Sequence, residues 1–246
     1  MSNHTNAHIV IFGGNGFVGT NIARRLVEKE VPTTCVSRTG NRPVHLENQP
    51  WADKIHWIGG DATDPDMDLV QSATTVVTLV GSPPMPTWGR KAFDHQVHMN
   101  SEANVRVIDT AERTGVKRVV VMGAHIPFPI RTDKFGYSKG KRLSFEAAQA
   151  FADISPEHSA VVLQPSAIIG TRYNPDGKAI PLDTFMGPVI RFQRFWPGWM
   201  QGLLPESMVK VEEVARMAVH ASLSSTPYEG CFTVISNRQI IEGLDQ

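Results

Sequence analysis

The chain has 246 residues, and its 24 basic side chains balance 24 acidic ones, so no net field favours nucleic acid. Hydrophobic residues make up 41% and charged residues 20%, the balance of a soluble globular protein with room for one large α/β domain. Two cysteines, Cys35 and Cys231, suit a reducing compartment rather than a disulfide scaffold. The opening MSNHTNAH lacks the apolar run of a secretory signal and the arginines of an organellar presequence. The expected location is cytoplasmic, with a peripheral membrane position and a mitochondrial one left open.

HIVIFGG is a β-branched run ending in glycine and predicts a first buried strand. A helix is expected from Phe17 to Glu30, with Val18, Ile22 and Leu26 on one face. TTCVSR, KIHWIGG and TTVVTLVG read as the next three strands. One long helix is expected from Lys91 to Thr114, stopped by Gly115, and VKRVVVMGA is a fifth strand. The helix holding Tyr137 ends near Pro156, which cannot continue it, and SAVVLQPSAIIG gives a sixth strand with its exit loop. Alternating strands and helices predict a doubly wound parallel sheet of Rossmann type, covered on both faces.

After Gly170 the pattern changes. Residues 171–208 are rich in proline, glycine and aromatics without a clean period, and are read as a small irregular cap over the carboxyl ends of the strands. KVEEVARMAVHASLSS then restores a helix and GCFTVI a strand. The division expected is a dinucleotide-binding core over 1–170, an apolar cap or interaction segment over 171–208, and a helix and strand completing the core over 209–246.

GGNGFVG, directly after the first strand, spans Gly13, Gly14, Asn15, Gly16, Phe17, Val18 and Gly19. It fits both G-x-x-G-x-x-G and G-x-G-x-x-G. Either spacing gives a tight turn, close backbone approach to a pyrophosphate, and N–H groups at a helix N-terminus. Where an NAD site places a carboxylate, this chain has Ser37 and Arg38, with Arg42 nearby. A guanidinium pairs with a 2′-phosphate, so the expected cofactor is NADP(H); the alternative is that Arg38 is a solvated surface residue. Asp61 at the end of the third strand has two readings, accepting from adenine with Ala62 against the ring, or capping the next turn.

In GYSKGK, Tyr137 and Lys141 lie four apart and share a helical face. A lysine near a phenol can lower the phenol's pKa and make it a proton donor or acceptor.

The glycine trio, GDATD, Asn100, YSKGK, LQPSAIIGTR and VEEVA together resemble the short-chain dehydrogenase/reductase superfamily, in its extended and atypical branches, over about residues 8–221. FGGNGFVG, VSRTG and GYSKGKRLSFE look most like the dehydrogenase-like proteins of the coenzyme Q biosynthetic complex. Those in turn are similar to the nucleotide-binding accessory subunits of respiratory complex I. The resemblance implies Tyr137 as proton donor or acceptor, and Lys141 on the nicotinamide ribose, lowering the tyrosine's pKa. It also places Val80 and Gly81 along the cofactor channel, and Pro165 and Ser166 beside the nicotinamide. The superfamily adds a Ser or Thr after the fifth strand, where this chain has Gly123 and Ala124, which cannot donate from a side chain. His125 is the candidate replacement, with Thr132 more distant; the bland reading of His125 is a loop residue with a satisfied hydrogen bond.

His95 and His98 have a spacing that metal sites use, yet no Asp, Glu or Cys set completes one, so no metal is expected. Between Phe185 and Leu204, Phe192, Phe195, Trp196, Trp199, Met200, Leu203 and Leu204 alternate with Arg191 and Arg194. This segment reads as a lid over a small apolar substrate, or as a patch that docks on a membrane surface or protein complex. The expected function is an NADP(H)-dependent oxidoreductase acting on a bulky apolar carbonyl, carbinol or quinone-like substrate. The alternative is a non-catalytic NADP(H)-binding assembly or sensor protein of a respiratory or quinone-biosynthesis complex.

Overall fold

Uninterrupted β-branched runs make the centre of the molecule. The computed structural model describes residues 7–84, 89–127, 131–184, 207–224 and 232–243. The main strands are β1 (Ile9–Phe12), β2 (Thr33–Ser37), β3 (His56–Gly59), β4 (Thr75–Thr78), β5 (Arg118–Met122) and β6 (Ser159–Gln164). Four short strands follow, β7 (Ile168–Ile169), β8 (Thr171–Tyr173), β9 (Ala179–Pro181) and β10 (Val209–Lys210), and then β11 (Phe232–Ser236). The sheet runs β3-β2-β1-β4-β5-β6-β11, every pair parallel. β1 and β4 are buried along their whole length, as strands covered on both faces must be.

Alternation along β1 sorts the core into two halves. Ile9 and Ile11 pack with Ile22 and Leu26 of α1 (Phe17–Glu28) and with Val214 and Met217 of a later helix, Val211–Leu223. Val10 and Phe12 pack on the other side with Val107, Ile108 and Phe151. Each such side chain, fully buried, stabilises the fold by roughly 1.5–3 kcal/mol relative to exposure. The remaining helices are α2 (Met67–Gln71), α3 (Arg90–Asn100), α4 (Glu102–Arg113), α5 (Gly136–Asp153), then α6 (the Val211–Leu223 helix) and α7 (Asn237–Glu242).

Three local readings change. The long helix expected over 91–114 is two helices, broken at Ser101 with φ −125° and ψ −63°. The Ser101 hydroxyl donates back to Val97 O at 2.7 Å, the carbonyl that also accepts the Ser101 N–H at 2.9 Å. Helix α1 stops at Glu28, two residues early, because Glu30 turns to φ 58°. The segment after Gly170, read as irregular, begins with an antiparallel hairpin, β8 on β9. Its turn is Asn174–Lys178, closed by Gly177 at φ 80°, whose N–H donates to Asn174 O at 2.9 Å. The hairpin rests on the β2–β3 connection, where Tyr173 stacks on His45 with ring centroids 3.9 Å apart. The aromatic stretch 185–204 lies outside the described residues. Among the described residues, no helix is long and apolar enough to cross a membrane.

Candidate active site

The carboxyl ends of β1, β4, β5 and β6 open around the point where the strand order reverses, the place where open α/β sheets hold ligands. Each glycine after β1 meets a different steric demand. Gly13 sits at φ 83°. A Cβ on Gly14 would lie 2.5 Å from Cys35 Cβ, and one on Gly19 would lie 2.4 Å from Gly13 O. Gly13 N–H donates to Val36 O at 2.9 Å, which ties the loop to β2. Gly16 caps α1 and is exposed, no side chain caps the helix, and Asn15, Phe17 and Val18 are partly exposed around it. An uncapped helix N-terminus behind a backbone loop this tight can receive a phosphate pair. Gly19→Ala is accordingly expected to abolish dinucleotide binding while the far sheet edge still folds; nicotinamide fluorescence and a thermal melt check both halves.

At the end of β2, Ser37 is used locally: its hydroxyl accepts Gly40 N–H at 3.2 Å. Arg38 is exposed, and its charge reaches Asp61. Arg42 is committed elsewhere, donating to Leu46 O and Gln49 O and pairing with Asp53, so it organises the turns of the β2–β3 connection. Asp61 makes the turn contact that was one of its two readings, accepting from Thr63 N–H and Thr63 Oγ1, both at 2.8 Å. Those bonds, and after them the charges of Arg38 and His98, hold its carboxyl below the ordinary value. Ala62 and Val80 are half-buried against the core.

The loop after β4 is held by two amides, Asn100, one of the residues that carry the family resemblance, and Asn104, which the sequence reading passed over. Asn100, fully buried, donates to Ser82 Oγ at 2.9 Å and accepts Ser82 N–H at 3.3 Å. Asn104 donates to Val80 O at 2.9 Å and accepts from Thr78 Oγ1. Gly81 is exposed but has no room for a side chain on its inner side: a Cβ there would lie 2.8 Å from Asn100 Oδ1 and 3.6 Å from Lys141 Nζ. Gln96, Asn100 and Asn104 recur every fourth residue, a polar stripe whose spacing alone could have flagged a buried role.

Tyr137 and Lys141 lie on one face of α5, as their spacing predicts. Lys141 Nζ is buried, donates to Met122 O at 2.6 Å, and lies 5.9 Å from the Tyr137 ring centroid. The expected lowering of the tyrosine's pKa is not what this geometry gives. Burial pushes the Tyr137 phenol up to about 12 and brings the Lys141 ammonium down to about 8. The ammonium's bond to Met122 O is spent on the backbone, and desolvation governs both groups.

A cavity of 220 Å³ lies against Lys141, lined by Ala124, His125, Thr132, Ser138, Arg142 and Phe145 among others. Gly123 is closed to side chains: a Cβ would lie 2.8 Å from Val162 Cγ1 and 2.9 Å from Leu163 O. Gly123 and Ala124 both line the cavity, which Tyr137 does not, and Ala124, partly exposed and already bearing a Cβ, is the one of the two that could carry a donor. His125 N–H donates to Pro165 O at 2.8 Å, and Thr132 Oγ1 accepts Lys134 N–H at 3.3 Å. Ser166 N–H donates to Asn237 Oδ1 at 2.8 Å, and Asn237, also missed, bonds Ser207 in turn. His98 pairs with Glu102 and His95 is exposed; among the described residues no three His, Cys, Asp or Glu side chains come together.

The sheet order, the glycine loop and the Tyr–Lys helix define a Rossmann-type protein of the extended short-chain dehydrogenase/reductase class. Residues 9–183 match the NAD dependent epimerase/dehydratase family, and the chain belongs to that family. It is 30% identical over 241 residues to an uncharacterized chloroplastic protein of Arabidopsis thaliana, covering 92% of this chain and 74% of that protein. It is also 34% identical over 77 residues to MIOREX complex component 2 of Saccharomyces cerevisiae, covering 30% and 28% of the two chains. Among solved structures, MoeE5 in complex with UDP-glucose and NAD superposes with a TM-score of 0.68 at 20% identity, covering 94% of this chain and 75% of that one. The UDP-N-acetylglucosamine 4-epimerase of Methanobrevibacter ruminantium M1 gives 0.67 at 16%, covering 94% and 76%. At these identities the two structures speak to the fold.

Proposed function

We propose that the chain is an NADP(H)-dependent oxidoreductase reducing a carbonyl on a bulky apolar or quinone-like substrate. The observation that carries this is the Tyr137/Lys141 pair on α5, beside Gly81 and at the carboxyl ends of β4 and β5. The glycine loop and Gly81 leave backbone room for a dinucleotide, with Gly14 and Gly19 too close to Cys35 and Gly13 to bear side chains. Bound nicotinamide would supply the hydride. Tyr137 Oη, protonated at neutral pH, gives the proton to the substrate oxygen. Lys141 would meet the ribose that Gly81 admits, with Pro165 and Ser166 along the ring. The family description and the NAD-bound MoeE5 support a nicotinamide dinucleotide. Arg38, with no carboxylate at the end of β2, supports NADP(H) within that class. The apolar substrate rests on the 185–204 sequence, and Ile126 and Phe145 give the cavity an apolar part.

The test is Tyr137→Phe. With NADPH and a short-chain quinone as probe, turnover is expected to fall by about 10²–10⁴-fold while NADPH binding stays within about threefold. Unchanged turnover contradicts the mechanism.

A second reading is a non-catalytic NADP(H)-binding assembly or sensor protein, meeting a membrane surface or protein complex through 185–204. The specific observation for it is that Gly123 cannot carry the missing donor and Ala124 does not. The likeness of a 77-residue stretch to a yeast complex component points the same way. This reading predicts tight NADPH binding without turnover, and co-purification with other proteins.

A further inference from the structure

Helix α5 starts without a cap of its own, since Phe135 contributes no side-chain hydrogen bond. The N–H of Tyr137, in the first turn, would otherwise be one of the unpaired donors every helix start presents. It donates instead to Gln96 Oε1, across from α3, at 3.1 Å. The other end of the same amide, Gln96 Nε2, donates to Pro83 O in the loop after β4 at 3.3 Å. Gln96 is 4% exposed, and a side chain this short spans the gap only because α3 and α5 approach closely. Gly136 permits that approach: a Cβ there would lie 2.8 Å from Phe93 O and 3.1 Å from Gln96 Cβ.

One buried amide therefore joins the backbone of the tyrosine helix to the loop carrying Gly81. Asn100, the next turn along, fixes Ser82 of the same loop, and its carbonyl accepts from Ser144 Oγ of α5 at 2.8 Å. Asn100 thus ties the loop and a point two turns into α5, whereas Gln96 acts at Tyr137 itself. We propose that Gln96 is a positioning residue that sets Tyr137 relative to the Val80–Pro83 loop, and so the reach of the phenol to a substrate held beside it. This rests on the reading of Tyr137 as proton donor. Gln96 touches no reacting atom; it works through the Tyr137 backbone.

Two variants separate positioning from mere packing. Gln96→Met keeps the length and loses both bonds, and Gln96→Glu keeps the acceptor for Tyr137 N–H. The readouts are hydrogen exchange across the first turn of α5, NADPH affinity by fluorescence, and kcat and KM for a short-chain quinone. Gln96→Met is expected to speed exchange at Tyr137 and to lower kcat about a hundredfold, with KM and NADPH affinity within about threefold. Gln96→Glu keeps the Tyr137 half alone, since a carboxylate cannot donate to Pro83 O, so it restores the slow exchange but leaves kcat low. Normal exchange and kcat in Gln96→Met overturn the proposal, as does full kcat in Gln96→Glu, which would leave the Pro83 bond without a role. If Tyr137→Phe itself keeps full turnover, the proton-donor reading fails, and the exchange result still reports on the bridge separately.

Discussion

Lys141→Met is expected to make the protein more stable and less active. The ammonium is buried with a carbonyl as its partner, and burial brings its pKa from 10.5 to about 8. That difference corresponds to roughly 3 kcal/mol against folding while the group is charged. Losing the bond to Met122 O returns about 1 kcal/mol, so the net gain at neutral pH is about 2 kcal/mol, or several degrees in Tm. The sign with pH follows from the lowered folded value. Between about pH 8 and 10.5 the unfolded chain binds the proton that the folded chain has released, so wild-type stability rises with pH across that window. The advantage of the methionine variant is therefore full below pH 8 and fades towards pH 10.5. Melts at pH 7 and pH 10 read the difference, and NADPH oxidation reads the lost activity.

The second large effect separates two neighbours that the sequence leaves equivalent. Gly123→Ser is expected to destabilise the fold by roughly 2–4 kcal/mol, because its Cβ would press on Val162 Cγ1 and on the Leu163 carbonyl that accepts the Gly123 N–H. Ala124→Ser faces the cavity and is expected to fold normally. If a missing donor is what limits the site, this variant raises turnover about tenfold to a hundredfold, the scale of one oriented donor to a developing charge. A well-folded Ala124→Ser protein with no gain would place the donor elsewhere or favour the non-catalytic reading. Thermal melts and NADPH consumption distinguish all three.

What was legible in the sequence is what depends on local chemistry. The glycine loop could be read because each glycine answers a need within a few residues, and Tyr137 and Lys141 because helical spacing alone puts them on one face. The doubly wound parallel sheet followed from alternating strand and helix periods, though not its strand order. The pKa values of the pair were not legible: they depend on how deeply α5 is buried, which no spacing encodes, and desolvation there reverses the direction expected for the phenol. Nor were the partners of Gln96, Asn100, Asn104 and Asn237, which lie 13 to 71 residues away in the chain. Arg42, noted only as near Arg38, is held by the turns it organises, whose carbonyls the sequence does not place beside it. The break at Ser101 lies within a stretch whose helical periodicity hides it. One miss had a visible signal: Asn174-Pro175-Asp176-Gly177 carries turn chemistry between two short extended runs, and a hairpin stands there.

The most direct measurement is a titration of the purified protein with NADPH and with NADH, followed by nicotinamide fluorescence, and then addition of a short-chain quinone. The account predicts that NADPH binds at least about tenfold more tightly, as a guanidinium without a competing carboxylate requires, and that the reduced-cofactor signal decays once the quinone is added. Binding of neither nucleotide would contradict it at the glycine loop. Equal binding of both would remove the role given to Arg38, and tight NADPH binding with an unchanging signal would count against a proton-donating Tyr137.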